Sequence, residues 1–209
     1  HNMTLTQGFY LGKYEVTQTQ YEAVMTGNTD SLSPTPSEWP NNPNRPVEKV
    51  SWADAQIFLT RLNAQQSANI PAGWAYVLPT ESQWEYACRA GTTTAYSWGN
   101  TIASSNANWN HGADPNQTVD VGQFSANPWG FFDMHGNVWE WTADWYQAAY
   151  PTGNPVTDPS GPASGSRRVL RGGSWYSVGK SLRSAERNNS RPPSHRISNI
   201  GFRVGFQQQ

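Results

Sequence analysis

Helical periodicity in this chain stops at Gly91 and does not return in the rest of its 209 residues. Three segments carry it before that point. Thr17 stands ahead of a short helix to Met25, with Tyr21, Val24 and Met25 on one face. Ser51 is placed to cap a second helix, with Asp54 at its third position and Trp52, Ala55, Phe58, Leu59 and Leu62 at helical spacing. Thr80 and Gln83 form a capping box for a third, and Gly91 supplies the left-handed stop. Strand-like stretches lie at 8–16, 71–78, Val119–Val121, Val138–Trp141, Arg167–Trp175 and Ile200–Phe206, the last two expected to pair with each other. Residues 26–47 and 151–166 read as surface loops. Such a layout predicts a single α+β domain over 1–209 with little regular structure.

A loop-rich fold needs anchors, and the eleven Trp within a 13% aromatic content supply them. The same aromatics argue against disorder. One cysteine, Cys88, leaves no internal disulfide, so packing or bound ions must hold the chain. A net charge of −1 gives no electrostatic reason to expect a nucleic-acid partner. No apolar run approaches the roughly 20 residues of a membrane helix, and no signal peptide is visible, so a soluble protein without membrane insertion is expected. The compartment stays open (cell-surface, secreted or phage-associated if a leader was removed), as does the oligomeric state.

Six strings then follow one another in order: Glu15-Val16-Thr17, Pro46 to Trp52, Leu78 to Ala87, Gly136-Asn137-Val138-Trp139-Glu140-Trp141, Arg171-Gly172-Gly173-Ser174-Trp175 and Gly201-Phe202-Arg203. Singly each is weak. Together they resemble the formylglycine-generating enzyme (sulfatase-modifying factor) superfamily from near residue 8 to residue 206. The resemblance implies a C-type-lectin-like fold, in accord with the loop-rich reading.

The turn from Asp133 to Glu140 offers two carboxylates and main-chain carbonyls, the hard oxygen donors that calcium prefers. The resemblance points to the same set for a structural Ca²⁺: Asp133 and Glu140 through their side chains, Gly136 and Val138 through their carbonyls. The alternative is that both carboxylates hydrogen-bond the turn and Glu140 pairs with an arginine. A second family calcium site would use Asn108 and Trp109, but His111–Thr118 departs from the family pattern and leaves only Asp114 or Asp120 as further donors. His1, His111, His135 and His195 are too scattered for a histidine metal site.

The family's oxidation of a substrate cysteine needs two thiols just after Gly-Gly-Ser-Trp. Here that segment is Tyr176-Ser177-Val178-Gly179-Lys180-Ser181-Leu182-Arg183, without sulfur. Ser177 takes roughly the first cysteine's place, and a hard serine oxygen cannot replace a soft thiolate on Cu(I). Cys88, on the apolar side of the third helix, reads as a small buried hydrophobe. No copper and no formylglycine activity are expected. Glu81 and Glu85 share a helix face but read as structural.

The end of the chain is uneven. Arg168 to Trp175, Leu182 to Ala185, Arg187 and Ile200 to Val204 look like scaffold. Between them stand Tyr176, Ser177, Val178, Gly179, Ser181 and Glu186, then Asn188, Asn189, Ser190, Ser194, His195, Ile197, Ser198 and Asn199. Tyr with Ser, Gly and Asn is the composition of adaptable binding loops. The arrangement resembles the variable region of a diversity-generating retroelement target protein, in which Asn codons altered at adenines yield these residue types. The resemblance implies a non-catalytic display protein with a variable segment at 176–199, Tyr176 and His195 at its centre, and a protein or glycan ligand. Three readings compete with it: an enzyme of the same superfamily, an inactive paralogue whose segment is an ordinary surface loop, and a module of a larger secreted or phage-associated assembly. The eight arginines between Arg167 and Arg203 are expected to bridge loops and stack on tryptophans rather than bind phosphate.

Overall fold

Each of the three α-helices among the described residues begins with a reciprocal capping box, which satisfies exposed N–H groups of its first turn. In α1 (Gln18–Met25) Thr17 exchanges hydrogen bonds with Gln20; in α2 (Trp52–Gln65) Ser51 does so with Asp54. In α3 (Glu81–Arg89) the pair is Thr80 and Gln83. Gly91 takes the positive φ expected of a left-handed stop, +85°, and the C-cap residue Ala90 ahead of it is left-handed as well, at φ +46°. Our computed structural model describes residues 3–110, 112, 116–149 and 156–209. Most of the expected loop at 151–166 can be traced from residue 156; residues 151–155, like His1, His111 and Asp114, lie outside that description.

The nine strands among the described residues are short: β1 (Met3–Thr4), β2 (Phe9–Leu11), β3 (Trp74–Val77), β4 (Trp139–Trp145), β5 (Val156–Thr157), β6 (Arg168–Arg171), β7 (Asn188–Arg191), β8 (Ile200–Gly201) and β9 (Gly205–Gln208). They form three sheets, ordered β1-β5, β2-β9-β3 and β7-β6-β4-β8. Arg167–Trp175 and Ile200–Phe206 therefore do not pair with each other. Both flank β4, β6 antiparallel with Glu140 opposite Arg171, and β8 parallel with Glu140 opposite Gly201. The stretch Val119–Val121 forms no strand. With few ladder bonds, it ties the loops through a side chain: Asn137 bridges it by accepting from the Val119 N–H and donating to its carbonyl.

The main core lies between α1, α2 and the central sheet, where Tyr21 stacks on Phe58 at 5.5 Å and Phe202 meets Phe58 edge-on at 5.2 Å. Tryptophans hold the irregular half as expected. Trp141 and Trp52 donate their indole N–H groups to the carbonyls of Val50 and Thr142, and Trp84 donates to Glu140. A buried indole N–H needs such a partner, so each ring ties a loop to the core while filling it. Arginines complete the network. Arg168 is sandwiched between Trp52 and Trp145 at 3.7 and 3.5 Å, while Arg171 and Arg203 are fully buried. No described helix is long and apolar enough to cross a membrane.

Candidate functional site

Two turns form the base of the candidate site, and each depends on glycine. At Gly136, φ is +105° and a Cβ would fall 2.3 Å from the Asn108 carbonyl oxygen. At Gly173, φ is +81° and a Cβ would fall 2.7 Å from Leu182. The two turns are bonded to each other, Gly136 N–H to the Gly172 carbonyl and Trp175 N–H to the Asn137 carbonyl, both at 2.9 Å. Behind them the arginines fix the path of the chain. Arg171 donates to Glu85 at 2.5 Å and to the carbonyls of Ser184 and Glu186, which pins the loop after Leu182 against α3.

From this base the segment 176–199 departs in two arms. In the first, Ser177 N–H bonds the Ser174 carbonyl at 2.9 Å, and its Oγ accepts from Ser174 N–H at 3.1 Å. The position that resembles the first catalytic cysteine is thus a turn hydroxyl. In the second, Arg196 makes a bidentate pair with Asp54 at 2.6 Å, and Lys49 N–H bonds the Ile197 carbonyl at 3.2 Å. The Trp175 indole donates to the Ser198 carbonyl at 3.1 Å and so joins the arms.

Burial follows the expected division only in part, since Arg183 and Ala185, placed with the scaffold, are exposed. Val169 to Ser174, Leu182, Ser184 and Ile200 to Arg203 are buried, whereas Tyr176, Val178 and Ile197 are exposed by 64%, 51% and 37%. Ser194 is exposed as well; Ser177, Ser181, Glu186, His195 and Ser198 are half-buried. Gly179 departs from its neighbours. It is buried, its carbonyl accepts from the Tyr96 hydroxyl at 2.9 Å, and a Cβ would meet Ile102 at 2.8 Å. Glu186 pairs with Arg183 at 2.9 Å. Asn188, Asn189 and Ser190 lie on β7 at the sheet edge, and their side chains are outside the described residues. Burial lowers the His195 pKa, so the imidazole is neutral at physiological pH.

The face also has a member that sequence reasoning missed. Trp39, from the long loop after α1, meets Trp175 edge-on at 5.4 Å, and Tyr176 meets Trp175 at the same distance. Nothing local marks Trp39, because only the fold brings the 26–47 loop beside the 175 turn.

The expected calcium donors occupy one buried turn, with Asp133 in the left-handed region at φ +57°. Asp133 accepts from Gly122 N–H at 2.7 Å, and burial raises its pKa to about 6. Burial raises Glu15 well above its ordinary range, helped by the charges of Asp133 and Glu140. Glu140 does not fit a free calcium ligand in this geometry. Arg203 takes both of its oxygens and Trp84 donates to one of them. Asn108, which the family's second calcium site would use, donates its side-chain amide to the Gln117 carbonyl and to Asn137.

The thiol is far from thiolate chemistry. Cys88 is fully buried, and burial pushes its pKa up to about 12. Its neighbour His135, at 3.6 Å, is held neutral by burial, with a pKa lowered to about 4. Neither can activate the other. Glu81 and Glu85 are engaged by Arg187, Arg171 and Arg89, the structural role expected of them.

The family described as sulfatase-modifying factor enzyme 1-like domain matches residues 1–207. The formylglycine-generating enzyme of Streptomyces coelicolor is 35% identical over 185 residues, 80% of this chain and 54% of that protein. The chain spans about half the length of the curated relatives it matches. Among solved structures, Treponema denticola variable protein 1 aligns with a TM-score of 0.83 at 30% identity, over 99% of this chain and 87% of that one. PvdO from Pseudomonas aeruginosa aligns with a TM-score of 0.80 at 27% identity, over 95% and 80%.

Proposed function

The chain belongs to the sulfatase-modifying factor enzyme 1-like family, and from that premise we propose that it is a non-catalytic display protein of the diversity-generating retroelement kind. The observation that carries this reading is the division of residues 168–206. Of the residues assigned to scaffold, Val169 to Ser174, Leu182, Ser184 and Ile200 to Arg203 are buried, while Arg183 and Ala185 are exposed; of those assigned to the face, Tyr176, Val178 and Ile197 stand out into solvent. A face of this kind tolerates change in its side chains because the backbone beneath is held by Arg171, Trp175 and Arg196. The likeness to a protein called a variable protein supports the same reading.

The ligand is a protein or glycan surface. Tyr176 and Ile197, with Trp39 and Trp175 behind them, offer rigid contact area, and the serines offer adaptable hydrogen bonds. Calcium at the Asp133 turn is part of this proposal as a structural ion held by Asp133 and the carbonyls of Gly136 and Val138. It would supply positive charge beside Glu15 and Asp133 and stiffen the turn under Trp175.

The coding DNA provides the test. A near-copy of the stretch for residues 168–206, differing at adenines and lying beside a reverse-transcriptase gene, supports the proposal; a locus without either overturns it. The competing enzymatic reading draws on the relatedness to formylglycine-generating enzymes. Incubating the protein with copper, oxygen and a Cys-x-Pro-x-Arg peptide decides that question, since any aldehyde product contradicts a role in binding alone.

A further inference from the structure

Away from residues 176–199, a cavity of about 520 Å³ opens between α3, the 129–131 turn and the N-terminal segment 3–11. Its size falls within the roughly 300–1,000 Å³ of small-molecule pockets, and like them it is mostly apolar with a few polar groups. Phe9, Tyr86, Trp129 and Phe131 line it. Tyr86 and Trp129 meet edge to face at 4.8 Å, and both keep about half of their surface in solvent, at 53% and 46%. The N-terminal wall is already in place. β1 pairs with β5, Thr6 N–H bonds the Asp158 carboxylate at 2.7 Å, and the Ser82 hydroxyl meets the Met3 sulfur at 3.2 Å.

The charge on the wall decides what such a cavity accepts. An aromatic box alone would suit a cation. Glu85, the one carboxylate lining the cavity, is already shared by two guanidinium groups, Arg89 at 2.8 Å and Arg171 at 2.5 Å. Arg89 also lines the cavity. Beyond Glu85 it donates only to the Thr94 carbonyl, at 3.3 Å, and its Nη2 has no protein partner among the described residues. A cation entering here would meet that guanidinium; an anion would find an unused, charge-assisted donor.

We propose that this cavity binds a small planar aromatic acid, its ring among Phe9, Tyr86 and Trp129 and its anionic group on Arg89. The site is independent of the variable face and of any role assigned to it.

Two dyes test it on the intact chain: 8-anilinonaphthalene-1-sulfonate, and N-phenyl-1-naphthylamine, which has the same rings without the sulfonate. Both bind the wild type in the expected result, and Trp129→Ala weakens both. Arg89→Gln weakens the sulfonate dye by about tenfold, the worth of one charge-assisted hydrogen bond, and leaves the neutral dye within about twofold. Tyr10→Ala changes neither dye, since Tyr10 points from the opposite face of β2 to Phe9. Thermal melts check that each variant is folded, and Trp129, being half-exposed, is the safer of the two positions. Failure of the sulfonate dye to bind, equal losses of both dyes in Arg89→Gln, or indifference to Trp129→Ala overturns the proposal.

Discussion

Arg203 and Glu140 form a buried bidentate pair, both contacts at 2.8 Å, at the junction of β4 and β8. The remaining guanidinium donors go to the carbonyls of Gly12, Lys13 and Phe132, so one side chain joins three parts of the chain. Removing one partner strands the other charge without water. Arg203→Met is expected to destabilise the protein by about 3–5 kcal/mol. Arg203→Met combined with Glu140→Gln should cost less than the sum of the two single changes. Urea denaturation measures both, and an unchanged midpoint in Arg203→Met contradicts this account.

Scaffold and face should separate under mutation. Trp139, 6% exposed in the main core, is expected to cost about 3–5 kcal/mol when replaced by Ala. The double replacement Tyr176→Ala with His195→Ala should stay within about 1 kcal/mol of wild type, because neither side chain fills the core. If the double variant melts early and Trp139→Ala does not, the assignment of scaffold and face is inverted.

Gly179 tests how far the variable segment can vary. Gly179→Ala drives a Cβ into Ile102 and is expected to destabilise by about 1–3 kcal/mol, whereas Val178→Ala next to it changes stability by less than about 0.5 kcal/mol. Thermal melts of the two variants compare them directly. A Gly179→Ala variant as stable as wild type would place this residue with the free positions of the face.

Asp144 gives a pH dependence whose sign is unusual for an aspartate. It accepts from Glu81 N–H at 2.6 Å, yet burial raises its pKa to about 7 from an ordinary 3.8. The folded protein thus holds a proton there that the unfolded chain releases. Its contribution is greatest below the unfolded pKa and is lost as pH rises from about 4 through about 7. Asp144→Asn should flatten that part of the stability profile measured by denaturant titration at several pH values. A variant profile as steep as that of the wild type removes Asp144 from the explanation.

Calcium at the Asp133 turn should raise the melting temperature of wild type over that in chelator, and Asp133→Asn should abolish the difference. Identical melts of the wild type with calcium and with chelator dispose of the site.

Much of this molecule was legible one segment at a time. Capping boxes and apolar spacing placed α1, α2 and α3, because a helix start is settled by residues within four positions of it. The missing thiols after Trp175 and the burial of Cys88 were likewise local facts of composition. Residue type marked the buried strand residues Val169–Arg171 and Ile200–Gly201, but not Gly179, buried within the expected face, nor Arg183 and Ala185, exposed within the expected scaffold.

What no local pattern carries is which distant residues meet. Glu140 and Arg203 are 63 positions apart, and only the placement of β8 beside β4 turned a candidate calcium ligand into the partner of a guanidinium. Trp39 joined the face because a loop closes over Trp175, and β4 came between two strands that alternation alone would have paired. Propensity acts within a few residues, while sheet order and buried charge pairing are settled by the competition of whole segments for the same core. Sequence therefore determined the elements and the chemistry absent from them, and tertiary structure decided who faces whom.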